Sequence, residues 1–272
     1  MTTEGSETAA PASGDGGDGT TWRSADWGVL IVLAAAAVVA FTVLVRGDGG
    51  TLTRLALAAP RDRFFQADCP EMLEDMVDVG GRHARGGLLH PIFCGLTLPT
   101  TNLLVKALDV GWIEAVWILQ GAAAAASAAL LYYTQRTLGV PRVAATLVGL
   151  LGISSAAFLF WQPLPETYPL GSLTLAVGFA VAAAACRTRI PAVVHVAAGT
   201  LGLGVTVTNW MVGLATLAVF ESRRRAVVLA LATLAMVYGI WSVEALSLAK
   251  PPLTPMGPRN VKRYSSRFIL HP

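Results

Sequence analysis

The sequence predicts an all-α fold, a polytopic helical bundle crossing a membrane about seven times, and three observations predict it. Of its 272 residues 54% are hydrophobic and only 14% charged, where a soluble domain carries about 25% charged residues. Runs of apolar residues long enough to cross a bilayer as helices recur along the chain. The short loops between them divide into arginine-bearing and arginine-free, the asymmetry that orients membrane spans. A net charge of +3, with no basic patch interleaved with aromatics, gives no footing for a nucleic-acid partner. The partner implied at this level is the lipid bilayer.

Residues 1–22 are Thr, Gly, Ser, Ala and Asp with almost nothing to bury, and read as a disordered tail. Their acidity and the long apolar run behind them do not fit a signal peptide. A transmembrane module is expected over 23–248. Its first span runs from about Trp27 to Val45, flanked by interfacial Trp22 and Arg23 and closed by Arg46 and the Gly49-Gly50 pair.

Residues 46–109 read as an extracytoplasmic acidic loop with interfacial helices. It carries Asp68-Cys69-Pro70-Glu71, then Glu74, Asp75 and Asp78, then Arg82-His83-Ala84-Arg85, ending at His90-Pro91. Glu71, Glu74, Asp75 and Asp78 fall on one i, i+3, i+4, i+7 stripe, expected to be a solvated helix face. Residues 88–105 are interrupted by Pro91 and Pro99 and hold Thr97, Thr100, Thr101 and Asn102, which favours a helix along the membrane surface over a crossing.

Further spans are expected over 110–133, 143–161 and 170–186, with the turn Gln162-Pro163-Leu164-Pro165-Glu166-Thr167-Tyr168-Pro169 between the last two. The run 191–220 is about 30 residues long and is interrupted by Gly199, Gly202, Gly204 and Asn209; it is one long span or two, and the arginine assignments below fit together if it is a hairpin of two short helices. A last span covers 226–248, and 249–272 form a basic tail. Arg136/Arg142, Arg187/Arg189 and Arg223–Arg225 then face the cytoplasm with the N-terminus, in a multi-pass protein of the cell membrane. The acidic loop and Glu166 share the opposite face.

Cys69, Cys94 and Cys186 show no metal-ligand spacing; Cys69 and Cys94 share the first loop and would pair in an oxidising compartment, but free thiols are the favoured reading, and His83, His90, His195 and His271 form no zinc pattern. No cofactor is indicated; a divalent ion at the acidic cluster has no defined ligand pattern behind it.

The order of span, acidic loop, His90-Pro91-Ile92-Phe93, helix, then a span ending Leu131-Tyr132-Tyr133-Thr134-Gln135-Arg136, is similar to the GT-C superfamily of polytopic glycosyltransferases. That superfamily includes the protein O-mannosyltransferases and related bacterial enzymes. The resemblance covers roughly residues 27–248. Within it Asp68 matches the family's catalytic Asp, and the His-Pro pair its juxtamembrane helix. Trp161–Tyr168 look like the acidic turn after the third span, and Thr206-Val207-Thr208-Asn209-Trp210 resembles the polar break of a later hairpin. Two departures stand out: Ile92 replaces the second Pro of the common His-Pro-Pro, and the chain ends soon after the module.

The resemblance implies transfer of a sugar from a polyprenyl-phosphate carrier to an acceptor hydroxyl on a glycan, lipid or protein outside the cytoplasm. Asp68 would be the general base. Glu166 is either an ordinary turn carboxylate or a second acid, acceptor positioner or metal ligand. His90, Tyr168 and Asn209 would bind substrate. Arg82 and Arg85 pair with the acidic cluster or with phosphate. Arg259, Lys262, Arg263 and Arg267 of the tail lie outside under this topology, against the charge bias: they bind an anion there, or the topology is off by one span. The alternatives are a catalytically inactive or truncated relative, and a transporter or scaffold. A transporter should show internal repeats and mid-span ionisable residues, and Glu244 is the nearest to one.

Overall fold

A computed structural model describes residues 22–47, 69–77 and 90–248, and every regular element among them is helical. The N-terminal tail, Asp68, Arg82, Arg85 and the C-terminal tail with Arg259 and Arg263 lie outside the described residues. Ten α-helices occur in the described segments: α1 (Ser24–Arg46), α2 (Cys69–Val77), α3 (Phe93–Leu108), α4 (Trp112–Thr137), α5 (Arg142–Ile153), α6 (Ala156–Trp161), α7 (Tyr168–Ala185), α8 (Ala192–Val205), α9 (Trp210–Phe220) and α10 (Arg223–Leu248). A 3-10 turn, Val207–Asn209, joins α8 to α9.

Four of these are long and apolar enough to cross a membrane: α1, α4, α7 and the Arg223–Glu244 portion of α10. On α1 and α10 large apolar side chains such as Ile31, Val39, Val43, Val227 and Leu231 point outward uncovered, the arrangement of lipid-facing surface. The chain is therefore a helical membrane protein, with four clear spanning candidates where the sequence led us to expect about seven.

The difference lies in two stretches. The run 143–161 is not one span: Ser154 and Ser155 break it into α5 and the short α6, with the Ser155 hydroxyl accepting from Phe158 N–H at 3.2 Å as an N-cap. The run 191–220 divides as expected, into α8 and α9 of 14 and 11 residues. At 1.5 Å per residue these reach about 21 and 16 Å, against a hydrocarbon core of about 30 Å. They fold back on each other, since a Cβ built on Gly213 would lie 3.9 Å from the Gly199 Cα and one on Gly202 3.5 Å from the Trp210 nitrogen.

One end of the bundle is held by ionic and polar ties. Asp26, fully buried near the start of α1, accepts from Tyr132 Oη at 2.9 Å, Arg136 Nε at 2.8 Å and Arg142 Nε at 3.2 Å. Its second oxygen takes Arg23 N–H at 3.0 Å and Arg142 Nη2 at 3.3 Å. These bonds fix α1 antiparallel to α4 and set α5 beside both. The α4 helix stops at Gly139, whose φ of 89° suits a residue without Cβ. At the same end Arg187 donates to the Thr137 carbonyl, Arg225 to the Ile190 carbonyl, and Glu221 meets His195 at 3.4 Å and Arg225 at 3.2 Å. The arginines of all three short loops thus share one end. Because α1 leaves that end and α4 returns to it, residues 47–111 begin and finish at the other.

Candidate functional site

The other end is where irregular backbone is buried. Residues 162–167, between α6 and α7, are all buried although the segment has no regular structure. Pro163 and Pro165 contribute no N–H, and the Glu166 N–H closes a tight turn onto the Leu164 carbonyl at 2.8 Å. The side chain of Gln120, fully buried in α4, donates to the same carbonyl. Gln120 lies eight residues into α4, about 12 Å from its start, so the turn dips into the bundle instead of capping it. Buried irregular backbone at such depth survives only where protein or a wet cavity satisfies it.

Glu166 is 5% exposed, and its carboxylate accepts the Thr167 N–H at 3.1 Å. Tyr168 opens α7, is 45% exposed, and stacks at 4.3 Å between ring centroids on Trp161, which meets Phe160 edge-on at 4.9 Å. An aromatic face therefore stands beside the acidic turn. Cys69, at the start of α2, packs on Leu164 two residues before Glu166. The first loop thus reaches this turn through its helix; the carboxylate assigned as general base, Asp68, is outside the described residues.

The tip of the α8–α9 hairpin forms the second half of the site. Asn209 donates to the Gly171 carbonyl at 2.6 Å and to Thr174 Oγ1 at 2.9 Å, on the first turns of α7. From the other side the Ile92 N–H donates to the Gly204 carbonyl at 3.0 Å, and His90 Nδ1 lies 2.5 Å from the Val205 carbonyl. The His-Pro segment therefore satisfies carbonyls that the end of α8 leaves unpaired. A carbonyl can only accept, so His90 Nδ1 is the donor of this bond and Nε2 is left facing away from it. His90, Glu166, Tyr168 and Asn209 come from three stretches and lie at one pair of helix breaks, with His90 on the end of α8 and Asn209 on the first turns of α7.

The helix α3 follows the His-Pro segment and is absent from the helices apolar enough for a membrane interior. Its polar residues bond to their own helix: Thr97 to Phe93, Thr100 to Leu96, Asn102 to Leu98. Thr101 also reaches the Met76 carbonyl, clamping α2 onto α3. Here one expectation is overturned. Asp75 is 4% exposed, on the face of α2 that buries Cys69, Met72 and Met76, and does not belong to a solvated stripe. It and the buried Glu244 of α10 flank the Cys94 thiol; burial first, and then these two carboxylates, push that thiol above its ordinary range. Burial of this kind disfavours the thiolate, and none of the three cysteines forms a disulfide.

A groove of about 1060 Å³ opens between α3 and α10 beside this cluster, walled by residues including Leu98, Asn102, Lys106, Met236, Ile240 and Glu244. Sequence reasoning missed Gln120, Asp75 and the groove. A lone carboxamide inside an apolar run marks the first. The spacing of Cys69, Met72 and Met76, which turns the 75–76 edge inward, marks the second. Among the described residues no group of three or more His, Cys, Asp or Glu side chains is placed to hold a metal ion. No protein-family model, curated protein or solved structure matches this chain.

Proposed function

We propose that the chain is a membrane glycosyltransferase of the GT-C type, moving a sugar from a polyprenyl-phosphate carrier to an acceptor hydroxyl at the end of the bundle that carries Glu166. The observation that supports it most is the placement of His90, Glu166, Tyr168 and Asn209 at two helix breaks, one of them buried, at the end opposite the arginine loops. By the charge rule for short loops that end is extracytoplasmic and the N-terminus cytoplasmic.

The tasks divide as follows. Asp68 removes the proton of the acceptor hydroxyl, which requires an ionised carboxylate within hydrogen-bond reach. Glu166 orients the acceptor or the sugar across the same space, and the Trp161–Tyr168 face offers an apolar platform to a sugar ring. His90, oriented by the Val205 carbonyl, hydrogen-bonds sugar or phosphate through Nε2. Arg82 and Arg85, and Arg259 and Arg263 of the tail, supply cations for the departing phosphate. The apolar groove between α3 and α10 has the walls an isoprenoid tail needs.

The test is carrier-dependent sugar transfer by the purified full chain, using a panel of radiolabelled polyprenyl-phosphate sugars. Asp68→Asn keeps the shape and is expected to lose about 10²–10⁴ in rate, the usual cost of a missing general base. Glu71→Gln should cost little. Equal rates for wild type and Asp68→Asn would remove Asp68 from this role. An inactive wild type with every carrier would favour the inactive-relative or scaffold reading.

A further inference from the structure

We propose that Gln120 is a positioning residue for Glu166, acting through the carbonyl of Leu164; the inference rests on the assignment of Glu166 to the transfer site. The turn that carries Glu166 is closed by short-range backbone bonds, Glu166 N–H to the Leu164 carbonyl at 2.8 Å around Pro165 and Leu164 N–H to the Trp161 carbonyl at 3.3 Å. Closures of this kind set local shape, and it is a tie to another element that sets a turn's place in the molecule. The Gln120 amide supplies that tie: rooted in a long rigid helix, it donates to the same Leu164 carbonyl. Shifting the carbonyl would shift the Glu166 backbone bonded to it, and with it the carboxylate that accepts from Thr167 N–H.

A second observation separates this from ordinary packing. The Gln120 Oε1 is buried with no hydrogen-bond partner among the described residues, and so is Gln162 Oε1 in the turn itself. A buried amide oxygen without a donor costs stability. Methionine, of similar length and volume, would avoid that cost, and the Leu164 carbonyl would still hold the Glu166 N–H. Stability alone therefore disfavours glutamine at 120, and the direction it imposes on the turn is what it adds.

The experiment compares wild type, Gln120→Met, Glu166→Gln and the double variant as full chains in detergent. The first readout is backbone hydrogen exchange over 162–168, which needs no activity. Gln120→Met is expected to exchange there about tenfold faster or more, with 126–137 unchanged and the melting temperature equal or higher. Unchanged exchange at 162–168 overturns the proposal. Should Gln120→Met lose its melting transition, Gln120→Leu serves the same comparison.

The second readout is transfer kinetics. Gln120→Met should lower kcat about tenfold while KM for the lipid-linked donor stays within about twofold. The double variant should be no slower than Glu166→Gln alone. Losses that multiply would show that Gln120 does not act through Glu166. If wild type transfers no sugar from any carrier, the functional assignment fails, and the exchange readout still decides whether Gln120 holds the turn.

Discussion

Asp26 shows how much one residue can carry in this bundle. It receives hydrogen bonds from Arg23, Tyr132, Arg136 and Arg142, and so joins three helices at one buried carboxylate. Asp26→Asn leaves two guanidinium groups facing a neutral amide. Breaking a buried pair costs about 3–5 kcal/mol; we expect about 3 kcal/mol, because the Arg142 side chain remains 37% exposed. Thermal melting in detergent should drop by several degrees, and a melting curve that matches wild type would count against the tie. Tyr132→Phe removes one neutral donor and should cost about 1 kcal/mol. The sequence did not disclose this network, because Asp26 sits next to an acidic, polar tail and the side chains that bond it lie more than a hundred residues away. Asp75 misled for the opposite reason: charge spacing placed it on a solvated face, while the apolar residues beside it turn that edge inward.

Among the elements, the α8–α9 hairpin was legible and the α5–α6 break was not. Glycines and Asn209 punctuate 191–220, and the arginines of the loops on both sides of it fit together if the run folds back. Ser154 and Ser155 return their hydroxyls to the carbonyls of Leu150 and Gly152, which hides the break from hydropathy. The hairpin tip also yields a sharp test. A Cβ on Gly204 would stand 2.2 Å from Ile92 Cγ1, and Ile92 is itself 5% exposed and tied by its N–H to the Gly204 carbonyl. Gly204→Ala must push the His-Pro segment off the tip, at about 1–3 kcal/mol for overpacking. Gly28→Ala, inside α1, meets nothing within 4 Å and should leave the melting temperature unchanged or raise it slightly. Equal behaviour of the two variants would mean the contact is not held in solution.

For the molecule as a whole, the two ends differ in charge and chemistry, and the pattern of arginines in short loops had already divided them. What hydropathy could not supply was depth: the acidic turn lies buried against Gln120 inside the bundle, which only packing reveals. Topology is testable with the thiols present, because Cys69 and Cys94 are buried and Cys186, beside Arg187, is exposed. An impermeant maleimide should leave the native chain unlabelled in intact cells and label it once the membrane is opened. A Cys186→Ser, Tyr168→Cys chain should label from outside. Labelling of native Cys186 in intact cells would invert the map. The bond between the His-Pro segment and the hairpin tip also has a consequence for biogenesis. The carbonyls at the end of α8 would meet lipid unsatisfied if the hairpin inserted alone, and their partners His90 and Ile92 leave the ribosome more than a hundred residues earlier. Synthesis proceeds from the N-terminus, so the receptor for the hairpin is in place before the hairpin emerges. Two helices, each too short to cross unaided, enter the bilayer as cargo for a dock the chain has already built.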